Sequence, residues 1–143
     1  MRDVCLRPVE DGDLDLFFEH QRDPESVRLT GVPARDRAAF DAQWRRIRAD
    51  ESTVVRTIAA DGLTLGNLIS WERDGAREVG YRIGREHWNG GITSRALALF
   101  VEELPRPLQA RIADHNAASQ RVAEKCGFVR GRLEDDYWVY ELL

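Results

Sequence analysis

Glu78-Val79-Gly80-Tyr81-Arg82-Ile83-Gly84-Arg85-Glu86-His87-Trp88-Asn89-Gly90-Gly91-Ile92-Thr93-Ser94-Arg95-Ala96-Leu97 is the stretch whose reading decides the fold. Its first six residues, Glu78 to Ile83, are β-rich. Its end opens an amphipathic segment predicted to be helical from Ile92 to Leu104, with Ala96, Leu97, Phe100, Val101 and Leu104 on the apolar face. Pro105 and Pro107 end that segment. Between the two lies a turn centred on Gly90-Gly91. The first turn of a helix has unpaired N–H groups and the positive end of the dipole. Glycines let a ligand approach that backbone, so the turn suits a phosphate or pyrophosphate. No G-K-[S/T] follows it, and it is not G-x-G-x-x-G. A merely flexible turn is the plain alternative.

Upstream, Val4 to Arg7 reads as a first strand closed by Pro8. Asp11 to Gln21 reads as a helix, with Leu14, Phe17, Phe18 and Gln21 at helical spacing. Pro24 to Pro33 reads as a connecting stretch. Arg35 to Ala49 is a second helix, with Phe40, Trp44 and Ile47 on one stripe and Arg45, Arg46 and Arg48 turned to solvent. The period then changes. Val54 to Ala59, Leu63 to Trp71 and Glu78 to Ile83 are separated by Asp61-Gly62 and Asp74-Gly75, strong hairpin signals, and form an antiparallel meander.

Downstream, Gln109 to Ala113 is a short strand. Asn116 caps a helix over Ala117 to Cys126 that stops at Gly127. Phe128 to Leu133 and Tyr137 to Leu142 make a final hairpin. The expected fold class is α+β (mixed α/β), in the order β-α-α-β-β-β-α-β-α-β-β. Its central sheet is mostly antiparallel, with one β-α-β crossover and flanking helices. No linker divides the chain, so one domain over residues 1–143 is expected.

Composition narrows the function. At 143 residues the chain can bury an unaided core. Net charge is -4, from 25 acidic and 21 basic residues, and neither sign forms a block, so nucleic-acid binding by a basic face has no support. Lys125 is the only lysine, which reads as coding bias. Cys5 and Cys126 are far apart and His20, His87 and His115 are scattered, so no metal site is expected. No apolar run approaches a membrane span. Met1-Arg2-Asp3-Val4-Cys5 is not followed by the apolar run of a secretory signal, so a cytoplasmic location is expected. Trp44, Trp71 and Trp138 read as core or cleft wall, and Cys126 as a small buried hydrophobe.

Trp88-Asn89-Gly90-Gly91-Ile92-Thr93-Ser94-Arg95-Ala96-Leu97 resembles the acetyl-CoA-binding motif of the GNAT N-acetyltransferases. The Trp-first form, preceded by Gly80-Tyr81, looks like the Rim-type branch, which acetylates ribosomal-protein N-termini. About 25 residues on, Asn116-Ala117-Ala118-Ser119 leading to Lys125-Cys126-Gly127-Phe128 is similar to that branch's second signature, N-x-x-S…K-x-G-F. Leu6-Arg7-Pro8 before an acidic helix start resembles its usual N-terminus. Asn89 stands where the branch has Gly, Thr93 where it has a small residue, and Arg95 where Glu is common.

The resemblance implies acetyl-CoA as donor, bound by the strand backbone at Tyr81, Arg82 and Ile83. It also implies binding by the turn residues Trp88, Asn89, Gly90, Gly91, Ile92, Thr93 and Ser94, and by Asn116 and Ser119. An amine, as a peptide N-terminus or a small molecule, would be the acceptor, and the protein would be a monomer or homodimer. The amine must lose a proton, at roughly pKa 7.7–8.0 for an α-amine. Glu78 and Glu72 are the candidate bases, both placed on strands facing the middle of the meander. In several GNAT enzymes a Glu at the place of Glu78 works through water. The plain alternative for Glu78 is an exposed strand acid beside Arg77.

For the leaving thiolate, many GNATs supply a Tyr where this chain has Ala123. The Rim-type branch uses the N-x-x-S serine, matched by Ser119. Ser119 reads equally as a helix-start residue. Overall acidity suits a cationic acceptor. The competing functional class is a catalytically idle acyl-CoA-binding or partner-binding domain that retains the fold.

Overall fold

The structure is a computed structural model that describes residues 3–143, so Met1 and Arg2 of the N-terminal stretch lie outside the described residues. The elements are β1 (Cys5–Arg7), α1 (Asp13–Arg22), α2 (Pro24–Thr30), α3 (Arg37–Ala49), β2 (Val54–Ala60), β3 (Leu63–Arg73) and β4 (Ala76–Ile83). A 3₁₀ turn at Arg85–His87 leads to α4 (Ile92–Val101), β5 (Leu108–Ala113), α5 (Ala117–Lys125), β6 (Val129–Glu134) and β7 (Tyr137–Leu142). The strands form one seven-stranded sheet in the order β1-β2-β3-β4-β5-β7-β6. Every pairing is antiparallel except β4 with β5. The expected mixed fold class stands.

Two elements differ from the sequence reading. The stretch Pro24 to Pro33 contains a helix, α2. Asp23 caps it by accepting the Glu25 N–H at 2.9 Å, Pro24 occupies its first turn, and Gly31 ends it at φ 73°. Those are start and stop signals, but a helix of seven residues is too short to show a hydrophobic period. The other difference is that α4 ends at Val101, not Leu104, where tighter turns from Phe100 and Val101 to Glu103 and Leu104 take over.

The two faces of the sheet carry different helices. Val54 packs on the cluster that holds Leu97 and Phe100 of α4 and Ala123 of α5. Val55 packs on the cluster of Phe17, Phe40 and Trp44, from α1 and α3. Adjacent strand residues point to opposite faces, so α4 and α5 cover one face and α1 and α3 the other. Phe17 and Trp44 meet at a ring separation of 5.3 Å. Arg45 and Arg46 are exposed, as their helical spacing suggests.

A polar lock fixes α1 to the sheet. Buried Asp13 accepts from both Arg7 terminal nitrogens at 2.8 Å, from Thr57 at 2.8 Å and from Thr64 at 2.9 Å. Burial alone would raise this carboxyl. The hydrogen bonds from Arg7, the Glu10 backbone and the two threonines outweigh it and hold Asp13 well below the usual carboxylate range.

Candidate active site

The parallel strands β4 and β5 pair at only two positions, Arg77 with Leu108 and Glu78 with Gln109. Beyond Glu78 they separate, while β5 keeps its full pairing to β7 from Leu108 to Ala113. A wedge therefore opens toward the carboxyl ends of both strands, where open α/β sheets take their ligands. A cavity of about 340 Å³ occupies it. Its lining runs from the turn before α4, along Tyr81, Arg82 and Ile83, past α5, to Ser26, Leu29 and Thr30 of α2.

The turn is built for access to backbone. Asn89 (φ 68°) and Gly91 (φ 75°) are both left-handed. Asn is one of the few residues with a side chain that visits this region readily, so it can stand where Gly is usual. Gly91 is the N-cap of α4 and offers no side-chain hydrogen bond to the first turn. The leading N–H groups of α4 are thus left for another acceptor. The Trp88 indole donates to the Ile83 carbonyl at 3.0 Å, pinning the turn to the end of β4. Behind α4, the Cys126 thiol reaches the Ser94 carbonyl at 3.3 Å, and burial pushes that thiol up, away from nucleophile chemistry.

On the opposite wall, Asn116 Oδ1 accepts the Ser119 N–H at 3.2 Å and caps α5. The Ser119 hydroxyl is not used by that cap. It lies 2.9 Å from the Tyr81 hydroxyl, which also reaches the Ser119 carbonyl at 3.0 Å. Burial pushes the Tyr81 phenol up to about 12, so it stays protonated across the working range.

The candidate bases fall on different faces. The β3–β4 register sets Trp71 opposite Glu78 and Glu72 opposite Arg77. Directly paired residues share a face, so Glu72 and Glu78 point to opposite sides and do not share the middle of the meander. Glu72 is exposed and reaches Arg77 at 3.5 Å. Glu78 is 1% exposed, which removes the alternative of an exposed strand acid beside Arg77, and meets Arg111 Nε at 3.1 Å. Val79 faces the α4 side, so Glu78 faces the α1 side.

Of the residues singled out in the sequence, Tyr81, Arg82, Ile83, Trp88, Asn89, Gly91, Ile92, Thr93, Ser94, Asn116 and Ser119 line the cavity together. Gly90 sits in the turn without lining it, and Glu78 and Glu72 do not line it. Sequence reasoning did not assign the α2 helix, which supplies Ser26, Leu29 and Thr30 to the lining. It also missed Arg121 and Lys125, which line the cavity from α5 and whose i, i+4 spacing put them on one side of the helix. Two further omissions are the Tyr81 hydroxyl and the Arg82 side chain. The register alone places Arg82 on the face of Glu78, opposite Asn67. Among the described residues no group of three His, Cys, Asp or Glu could hold a metal, and no helix is long and apolar enough to cross a membrane.

The fold recurs in known proteins. The chain is 25% identical to an uncharacterized N-acetyltransferase p20 of Bacillus licheniformis, over 94% of this chain and 83% of that one. A domain from Methanocaldococcus jannaschii has a TM-score of 0.86 at 20% identity, covering 99% of each chain. Aminoglycoside acetyltransferase AAC(6')-Ib, solved with coenzyme A, has a TM-score of 0.82 at 22% identity, over 97% of this chain and 93% of that one. A profile of the acetyltransferase (GNAT) domain matches residues 3–129. The chain belongs to the GNAT acetyltransferase family.

Proposed function

We propose that this protein transfers an acetyl group from acetyl-CoA to a primary amine by direct attack in a ternary complex. The observation that carries the reading is the cavity in the β4–β5 wedge, with the uncapped start of α4 at its rim. The pyrophosphate sits on the turn from Asn89 to Ser94, where N–H groups and the helix dipole favour an anion. The pantetheine arm runs between β4 and α5, along Tyr81 to Ile83 and past Asn116 and Ser119. The structure of AAC(6')-Ib with paromomycin and acetyl-CoA supports this reading by fold, at 22% identity. The Trp88 turn and the Asn116-to-Phe128 segment support the Rim-type branch.

The amine attacks the thioester carbonyl, the oxygen gains negative charge, and a backbone N–H of β4 stabilises it. The tetrahedral intermediate expels the coenzyme thiolate, which takes a proton from Ser119 while the serine oxygen is reprotonated from solvent. The Tyr81 hydroxyl donates to the Ser119 carbonyl and lies 2.9 Å from Ser119 Oγ, which holds the serine side chain beside the path of the pantetheine arm. Glu78 lies outside the cavity lining, so it takes the amine proton through water. Glu72, exposed on the other face, has no part in this step.

The test is thermal unfolding with and without acetyl-CoA. Saturation at about 100 times Kd adds about 2.7 kcal/mol, a rise of several degrees. Gly91→Glu places a carboxylate and a strained left-handed residue on the turn and should abolish the shift. No shift in the wild type at millimolar acetyl-CoA overturns the reading. A shift without turnover of any amine in a broad panel would favour the idle acyl-CoA-binding domain.

A further inference from the structure

Arg82 lines the cavity as a cation without a counter-charge. Among the described residues it makes no hydrogen bond or ion pair, and its Nε is buried with no partner. Three other strand arginines do have carboxylates: Arg7 has Asp13, Arg77 has Glu72, and Arg111 has Glu78 and Glu134. Arg82 is half-buried, with its Nε shut off from water; a guanidinium partly removed from water without a partner is unfavourable, and burial lowers its proton affinity. The full cations of the lining are Arg82, Arg121 and Lys125, with no aspartate or glutamate in it. This is a local reversal of sign in a chain of net charge -4.

Position separates Arg82 from the other two full cations. Arg121 and Lys125 belong to α5, on the face of the pyrophosphate turn. Tyr81 packs on that face, so Arg82 projects to the opposite one, toward α1, where it acts electrostatically on buried His20. Ser26, Leu29 and Thr30 close the same end of the cavity. A coenzyme laid along α4 and α5 leaves that end for the acceptor.

We propose that Arg82 is a specificity residue that receives a carboxylate of the acceptor, so that the acceptor is an amine carrying a carboxylate rather than a polycationic amine. The proposal rests on the acetyltransferase reading above. The five N–H donors of a guanidinium form a planar fork that matches a carboxylate. A carboxylate in this position supplies the missing counter-charge and fixes the amine at the mouth of the wedge. The overall acidity of the chain, which suits a cationic acceptor, is the wrong guide here, because the field inside a cleft is set by the residues that line it.

The experiment has an equilibrium arm and a kinetic arm. In the first, thermal unfolding is followed with N-acetylglycine and with N-acetylglycinamide, both without coenzyme and with saturating CoA. The carboxylate compound should raise the midpoint, the amide should not, and Arg82→Gln should lose the effect. Arg82→Lys should keep a smaller part of it. Equal effects of the two compounds, or none up to tens of millimolar, overturn the proposal. So does a shift that survives Arg82→Gln or disappears when CoA is added, because the anion would then sit on the phosphate site of Arg121 and Lys125.

In the second arm, amino acids are compared with their amides as acceptors. The carboxylate member should be favoured at least tenfold in kcat/KM. Arg82→Gln should bring the ratio to within about twofold, through KM rather than kcat. A preference for amides or for spermidine overturns the proposal. Failure of acetyl-CoA to bind is a separate outcome that strikes the acetyltransferase reading, and the coenzyme-free arm still reads the anion site.

Discussion

The Tyr81 hydroxyl lies 2.9 Å from Ser119 Oγ and 3.0 Å from the Ser119 carbonyl oxygen, bridging β4 and α5 across the cavity. The contact ties the strand that the pantetheine would follow to the serine proposed to protonate its sulfur. It also separates two roles of one segment. The helix cap uses the Asn116 side chain and the Ser119 backbone, whereas proton donation uses only the Ser119 hydroxyl.

Substitution should pull those roles apart. Asn116→Ala should cost about 1 kcal/mol of stability, the usual worth of an N-cap. Ser119→Ala keeps the capped N–H and should change the unfolding midpoint by less than Asn116→Ala does. It should still lower kcat about tenfold, most at a pH above the thiol's own pKa. Tyr81→Phe should show a smaller loss of the same kind. Parallel kcat measurements and unfolding curves decide the matter. Unchanged turnover in Ser119→Ala would leave the residue a helix-start role only.

Glu78→Gln should lower kcat about 10²-fold at neutral pH, the lower end of the range for a general base, while the acetyl-CoA shift is retained. The glutamine is nearly isosteric and can still accept from Arg111. A base role also predicts partial recovery at high pH, as free hydroxide and neutral amine become abundant. A lower unfolding midpoint with unchanged kcat at every pH would make Glu78 a brace for Arg111.

Acid should loosen the joint between α1 and the sheet. The Asp13 carboxyl is held below its unfolded value near 3.9, so its contribution is complete above that pH. The contribution is lost as pH falls toward the folded value. Arg7→Gln should destabilise by about 2 kcal/mol at pH 7, less than a fully buried pair because the Arg7 side chain is 30% exposed. The gap between wild type and variant should narrow between pH 5 and pH 2. Denaturant unfolding across that range measures it, and a constant gap would mean that ionisation of Asp13 contributes nothing.

Much of the site was legible because its parts are local. Gly91 before an apolar helix, Asn116 three residues before Ser119, and Asp-Gly between β-rich runs each act within one turn of chain, where sequence spacing is spatial spacing. Asp23-Pro24 and Gly31 also bracket α2 locally, but seven residues give no period to read, so Pro24 to Pro33 reads as a connecting stretch and not as a helix.

The sequence by itself determined the strands, the helices other than α2, the single β-α-β crossover and the anion-ready turn at Asn89 to Ser94, because backbone sterics and hydrophobic period are properties of neighbouring residues. Tertiary structure alone decided where β4 leaves β5, and hence that a cavity exists at all. It decided that Glu72 and Glu78 face opposite sides, since one step of register moves a side chain across the sheet. It decided that Glu78 meets Arg111 while Arg82 meets no carboxylate. Charge pairing depends on which distant segments share a face, and no spacing along the chain encodes that distance.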